Sequence, residues 1–349
     1  MLLACLGAVR GDIADGCRIG HSCPPDRPAV HRTTMQLNGP SMTQSPRVSV
    51  IMSVFDREEF YQRSIGSILA QDFKDFEFII VDDGSRQPAV DAIESFGDPR
   101  IRLVRLPVNS GIAMARNIGM KMARGEFIAV MDSDDFATPD RLARQHAFMM
   151  AHPDIDFIGS HAIMVMGEKR FPMTYSPDDG IIKARLLALD ASSMLHPASM
   201  MRTAFLRKTD LQYPMERTDN DHALWTEAMI HGARFSSVEV PLLHYYRHPG
   251  NFTAEGGAEY ASHEKRKTPL RARLLGLFYP GLNHDEALAI ARWMEQGRQH
   301  AIPDVCDAIT AIRKAVVDTK SYWGESKTEV GGLLKTHFGN AMQALTRKP

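Results

Sequence analysis

From Arg47 onward, short β-branched apolar runs alternate with stretches in which apolar residues recur at helical spacing. RVSVIMSVF has strand length and stops at the polar Asp56. Asp56 and Glu59 fit a capping-box-like helix start, after which Tyr61, Ile65, Ile68 and Leu69 mark one helix face. FEFIIV is the next strand and ends at Asp82-Asp83-Gly84-Ser85; Pro88 to Phe96 reads as a second helix and IRLVRL as a third strand. Asn109-Ser110-Gly111 is a turn, and Ile112, Ala115, Ile118 and Met122 form a helix face with Gly125 expected at C′. FIAVM is a further buried strand closing on Asp132-Ser133-Asp134-Asp135, with Thr138-Pro139 expected as N-cap and N1 of another helix. Strands and helices alternating in this way predict an α/β domain with a doubly wound, mostly parallel sheet joined by right-handed crossovers. Ligands of such sheets sit at the carboxyl ends of the strands, where the acidic clusters fall.

Beyond Pro153 the pattern is less regular. DFIGSHAIMV and LHPASMM read as strands, Asp221 to Ile230 as a helix and Val238 to Leu243 as a strand, a half suited to shaping a second substrate pocket. From about Glu264 the chain reads as helical, with a basic start at Lys265-Arg266-Lys267, and no internal repeat is visible. The first 46 residues are rich in Gly, Pro, Ser, Thr and Arg without a period and read as a loose leader; Met35 and Met42 offer later starts.

Composition narrows the partners. With 41 basic and 42 acidic residues and a net charge of -1, no global field gathers nucleic acid. Cys5, Cys17, Cys23 and Cys306 are too scattered for a disulfide framework, and His21 between two of them does not complete a zinc site, so reduced thiols and a cytoplasmic setting are expected. MLLACLGAVRGD lacks a basic lead and is too short to span a bilayer, which predicts a soluble or peripheral protein. Lys265 to Tyr279 mixes Lys, Arg, Leu and Phe, a pattern shared by solvated basic helices and by helices lying on an anionic membrane surface.

Asp132 and Asp134, one residue apart past a buried strand, place carboxylates near one point on a turn with Asp135 adjacent. Such oxygens repel unless a hard cation joins them, and carboxylates suit Mg²⁺ or Mn²⁺. A bound cation of this kind neutralises the charge of a departing diphosphate. A plain polar turn with a helix cap is the alternative reading of an isolated D-x-D. Asp82 and Asp83 stand where a carboxylate accepts hydrogen bonds from a nucleobase or ribose, or simply shapes a turn around Gly84. Arg116-Asn117 adds a fixed cation and an amide near the same strand ends, with a surface helix position as the alternative for Arg116.

Together these segments resemble the inverting glycosyltransferases of family 2, which have the GT-A fold. The resemblance rests on Val81 to Ser85, Asn109 to Gly119 (N-x-G-x-x-x-A-R-N-x-G) and Asp132 to Asp135, and it covers about 48 to 253. It implies a nucleoside contact by Asp82, Asp83 and the strand end from Val54 to Asp56, with Arg116 along the nucleotide. Asp132 and Ser133 then belong to the nucleotide-sugar site, and Asp134, Asp132 and His248 to the metal, Mg²⁺ or Mn²⁺. Asn220-Asp221-His222-Ala223-Leu224-Trp225 is similar to the family's E-D-x-x-L-W segment, which implies that Asp221 is the catalytic base that deprotonates the acceptor opposite the leaving diphosphate, beside the plainer reading of a helix N-terminal acid stabilised by the dipole. Asn220 replaces Glu there, and Asp219 stands beside it. Tyr245 to Asn251 is similar to the closing Y-R-x-H segment, with Tyr246 where Arg is common and His248 as the histidine. Ser53-Val54-Phe55-Asp56 departs from the family's Pro-x-x-Asn, which bears on nucleotide preference. His196 also matches a recurring family position but reads as a structural histidine.

The implied organisation is a leader over 1–46, a GT-A domain over 47–255 and a helical extension over 256–349. The domain divides into a nucleotide-sugar-binding half, 47–153, and an acceptor half, 154–255. The implied partners are a nucleoside diphosphate sugar donor and a saccharide or lipid-linked acceptor, as in surface polysaccharide or glycolipid assembly, met in the cytoplasm or at the inner face of the membrane. Two alternatives stand beside this reading. One is a binding module that keeps the fold without the chemistry. The other is a sugar-nucleotide nucleotidyltransferase, against which stands the absence of glycine from MSVFDREEF, where a triphosphate loop belongs.

Overall fold

A computed structural model describes residues 45–188, 193–215, 220–248, 268–276 and 281–293. The described part of the leader is only Ser45 and Pro46, and the cysteines, Asp219, Lys265 to Lys267 and residues 294–349 lie outside the described residues.

The first half alternates as expected: β1 (Val48–Val54), α1 (Glu58–Leu69), β2 (Phe76–Asp82), α2 (Gln87–Glu94), β3 (Ile101–Arg105), α3 (Ile112–Met122) and β4 (Phe127–Val130). β5 (Phe136–Ala137), α4 (Arg141–Ala151), β6 (Phe157–Met166), β7 (Lys169–Met173) and α5 (Asp179–Ala188) follow. A 3₁₀ turn at His196–Ala198 leads to β8 (Met200–Arg202), α6 (Thr203–Thr209), α7 (Asn220–Ile230), β9 (Phe235–Tyr246) and, later, α8 (His284–Trp293). One sheet runs β3-β2-β1-β4-β8-β6-β9-β5, with β7 on β6. β3, β2, β1 and β4 are parallel, as are β6 and β9, whereas β8, β7 and β5 join antiparallel.

Strand alternation divides the core between two faces. Val48, Val50, Met52, Phe76, Phe78 and Ile80 point to one, where Tyr61, Ile65 and Ile68 of α1, Ile93 of α2 and Leu142 of α4 cover them. Ile51, Ile79, Val81, Ile128 and Val130 point to the other, under Ala115 of α3, Leu186 of α5 and Trp225 of α7. Each buried large apolar side chain contributes on the order of 1.5–3 kcal/mol relative to exposure. Burial on both faces is why these strands read as continuous apolar runs rather than alternating ones. Ala287, Ile290 and Ala291 of α8 pack into the same second cluster, so part of the extension expected as helical closes this core.

Three local expectations need correction. Asp56 does not cap α1: Arg57 is the N-cap, in the left-handed region at φ 75°, without a side-chain cap bond. The Asp56 carboxylate instead accepts the Arg86 N–H at 2.9 Å and pairs with the Arg86 guanidinium at 3.2 Å. α4 begins at Arg141 rather than Pro139, because the Thr138 hydroxyl turns to the Asp140 carboxylate at 2.8 Å and its N–H to the Leu242 carbonyl. Gly125 does not end α3 as a left-handed C′ residue. It allows close approach to β1: a Cβ there would stand 2.5 Å from the Ser49 backbone nitrogen, and its N–H donates to the Ser49 hydroxyl at 2.8 Å.

Candidate active site

The carboxyl ends of β1, β2 and β4 and the first half of α3 bring the acidic clusters to one edge of the sheet. At the end of β2, Asp82 is fully buried; its Oδ1 accepts the Ser85 N–H at 3.0 Å and its Oδ2 lies 3.5 Å from Arg105 Nε. It shapes the turn, with its Oδ2 buried and without a hydrogen bond. Asp83 is also buried, with Oδ1 and Oδ2 accepting the N–H groups of Ser110 and Gly111 at 2.7 and 2.9 Å. It thereby draws the Asn109 to Gly111 turn onto the β2 turn. Gly84 makes the approach possible: its φ is +81°, and a Cβ would meet the Val108 carbonyl carbon at 2.6 Å. Val54 is buried and accepts the Asp83 N–H at 2.8 Å through its carbonyl, while Asp56 stays partly exposed. Phe55, next to it, is an exposed aromatic at the rim.

Arg116 is 8% exposed and lies between the two halves. One terminal nitrogen donates to Asp132 Oδ1 at 3.0 Å and the other to Asn220 Oδ1 at 2.9 Å. Its neighbour Asn117 bonds both backbone groups of Tyr213. The acidic turn and the start of α7 are therefore tied through one guanidinium.

Within that turn Ser133 is partly exposed, as are Asp132 and Asp134. Asp134 Oδ2 lies 3.1 Å from His248 Nε2, and the His248 ring packs on Phe60 with centroids 4.6 Å apart. Burial and the Asp132 charge push the Asp134 carboxyl up, against the opposing pull of His248. Asp135 is fully buried; its Oδ1 accepts the Tyr246 N–H at 2.9 Å, and its Oδ2 is buried without a hydrogen bond. Burial together with Asp132 and Asp134 pushes Asp135 well above the usual carboxylate range. Below the turn, burial lowers Arg141 to about 10, with the Asp135 and Asp132 charges opposing the shift. Arg141 donates to the Val130 carbonyl at 2.7 Å and to Gln145 at 3.1 Å.

Among the described residues no three His, Cys, Asp or Glu side chains form a ready-made metal cluster. The donors present nevertheless fit a hard divalent cation: three crowded carboxylates, one with an orphaned buried oxygen, and an imidazole against the middle one. Of the three expected ligands, Asp134 and His248 are in contact, and Asp132 stands in the same turn, held by Arg116.

Asp221 lies in the first turn of α7, directly after the Asn220 that Arg116 holds. Burial pushes its carboxyl up, but the positive field of His222, His196 and Arg116 and the His222 N–H, at 2.8 Å, outweigh it and leave the group below the usual carboxylate range. Arg116 is the permanent charge of the three, because burial holds His196 well below the ordinary histidine value. His196 is structural, as expected: it is buried and its Nε2 bonds the Tyr213 hydroxyl at 2.8 Å.

Arg63 was not singled out by sequence. Its guanidinium carbon lies 3.7 Å from the Tyr246 ring centroid, and a terminal nitrogen donates to the Asp134 carbonyl. The site thus gains a cation beside Tyr246, where the sequence pattern has lost one. Nothing local in α1 marks this residue, because its partners lie far along the chain.

The Glycosyl transferase family 2 profile matches residues 49–209. An uncharacterized glycosyltransferase of Methanocaldococcus jannaschii is 30% identical over 205 residues, 57% of this chain and 70% of that one. UDP-Glc:alpha-D-GlcNAc-diphosphoundecaprenol beta-1,3-glucosyltransferase of Escherichia coli is 26% identical over 247 residues, 68% of this chain and 93% of that one. Other relatives are matched over less of their length, 31% for a Rhizobium meliloti succinoglycan biosynthesis protein. The fold is similar to the crystal structure of Staphylococcus aureus TarS with UDP-GlcNAc, at a TM-score of 0.59 and 19% identity over 84% of this chain and 92% of that one.

Proposed function

The chain belongs to glycosyltransferase family 2, and we propose that it transfers a sugar, with inversion, from a nucleoside diphosphate donor to a hydroxyl of a saccharide or lipid-linked acceptor. The observation that carries this reading is the Arg116 fork, which holds the acidic turn at Asp132 and the helix bearing Asp221 at 3.0 and 2.9 Å. A diphosphate gripped at that turn and a carboxylate on α7 then lie on either side of one reaction centre.

The β1 and β2 ends, with Phe55 and Asp56 at the rim, receive the nucleoside. Asp82 and Asp83, whose carboxylates brace the turns at its edge, line the nucleoside pocket. Arg116 faces the diphosphate. Asp134, Asp132 and His248 would hold a divalent cation, Mg²⁺ or Mn²⁺, which when bound would neutralise the charge that develops on the leaving diphosphate. Asp221, ionised at neutral pH, accepts the acceptor hydroxyl proton as that oxygen bonds the anomeric carbon. The bond from that carbon to the diphosphate oxygen breaks on the opposite face, which inverts the configuration. The name of the Escherichia coli relative supports a diphosphate-lipid acceptor class, and the nucleotide sugar bound by TarS supports a UDP donor. With such an acceptor the enzyme would work at the inner face of the membrane; among the described residues no helix is long and apolar enough to cross one.

The test is calorimetric titration of wild type and Asp134→Ala with UDP, GDP and dTDP, with and without Mn²⁺. Binding of one nucleotide that requires both Mn²⁺ and Asp134 is expected. Absence of binding by any of the three, or binding indifferent to Mn²⁺ and Asp134, would overturn the metal-assisted reading.

A further inference from the structure

Asn117 stands next to Arg116 on α3 but takes no part in the chemistry above. Its Nδ2–H donates to the Tyr213 carbonyl at 2.7 Å, and its Oδ1 accepts the Tyr213 N–H at 2.7 Å. One side chain thus satisfies both backbone groups of a residue 96 positions away. An amide suits this task because it presents a donor and an acceptor in one plane. Tyr213 is buried to 1% exposure, its hydroxyl bonds His196 Nε2 at 2.8 Å, and the Arg116 guanidinium carbon lies 5.6 Å from its ring centroid. The His196 ring in turn packs against Trp225, with centroids 5.9 Å apart.

These contacts converge on α7. Arg116 holds Asn220, the first residue of the helix, while His196 abuts Trp225, which lies four residues after Asp221 and hence on the same side of the helix. Two consecutive residues of α3 therefore reach the two sides of the connection leading into the helix, Tyr213 before it and Asn220 at its start. Asp221 follows directly on Asn220 and lies between it and Trp225 along the helix.

We propose that Asn117 is a positioning residue: by clamping Tyr213 it fixes His196 and the first turns of α7, and so sets the Asp221 carboxylate against the donor held at Asp132. This rests on Asp221 being the base. A clamp that served stability alone would act equally whether or not residue 221 carries a carboxylate, and that difference is measurable.

The experiment is a double-mutant cycle of wild type, Asn117→Ala, Asp221→Asn and the double variant, read as nucleoside diphosphate release. The probe is UDP-N-acetylglucosamine, or GDP-mannose if guanine nucleotide is the one bound, assayed well below the melting temperature of each variant. Asn117→Ala is expected to lower kcat by about 10-fold or more with the donor KM within about 2-fold, and to have no further effect in the Asp221→Asn background. An equal loss in both backgrounds, or an unchanged kcat, would overturn the positioning role. Asn117→Asp, which keeps the acceptor half of the clamp, goes through the same cycle if Asn117→Ala does not fold. Wild-type turnover by Asp221→Asn would strike down the base assignment itself, a different result from an additive cycle built on a slow Asp221→Asn enzyme.

Discussion

Asp221 is held ionised by its neighbours, and that decides what its loss should do. Asp221→Asn keeps the shape and the acceptance of the His222 N–H but removes the proton acceptor, so kcat should fall by about 10²–10⁴ with nucleotide affinity nearly unchanged. Steady-state kinetics beside calorimetry checks this; a parallel loss of nucleotide affinity would mean that Asp221 serves binding instead. Gly84 makes a second case. Its φ of +81° and the 2.6 Å approach of the Val108 carbon leave no room for a methyl group, so Gly84→Ala should cost about 1–3 kcal/mol and weaken UDP binding. Thermal melting and titration of the same sample read both effects, and an unperturbed melt would refute the strain argument. Asp132, Asp134 and Arg116 stand out as candidates in the sequence because they fall in short local motifs, and Asp221 because its segment is similar to a family motif. Arg63 and Tyr213 do not, and Asn117 is legible only as an amide beside Arg116, since each acquires its meaning from a partner 71 or 96 residues away.

Among the elements, the parallel strands depend on a polar network at the end opposite the site. Glu77, 1% exposed in β2, accepts the Ser49 hydroxyl at 2.7 Å and pairs with Arg102 and Arg124 at 2.5 and 2.8 Å. Burial raises its carboxyl, but those hydrogen bonds win and hold it below the usual value. Its folded-state pKa lies below its unfolded one, so its contribution is complete at neutral pH and is lost as pH falls through the depressed value. Glu77→Ala should therefore destabilise by about 3 kcal/mol at pH 7, with the gap from wild type narrowing in acid. Denaturant unfolding at pH 7 and pH 3 measures this, and a gap independent of pH would contradict it. Strands and helices were legible from their apolar periods, whereas their ends were not. Asp56 and Thr138 carry the right side chains for caps, but stronger offers from Arg86, Asp140 and Leu242 draw them elsewhere.

For the whole molecule, one sheet joins a parallel half and a mixed half, and the candidate site lies where Arg116 ties the acidic turn to the start of α7. The first half was readable because buried parallel strands are continuous apolar runs followed by helices. The second was readable only in pieces, since the order β8-β6-β9-β5 follows from long-range pairing, antiparallel for β8 with β6 and β5 with β9 and parallel for β6 with β9, that no local period encodes. The proposed arrangement, nucleotide at the strand ends and Asp221 as base on α7, requires an inverting transfer. The most direct measurement is proton NMR of the product released from an α-linked donor, UDP-glucose or UDP-N-acetylglucosamine, followed from the first turnovers. Appearance of the β-anomer, lost in Asp221→Asn, is the result predicted here; an α-anomer at first appearance, or turnover that survives Asp221→Asn, would contradict the account.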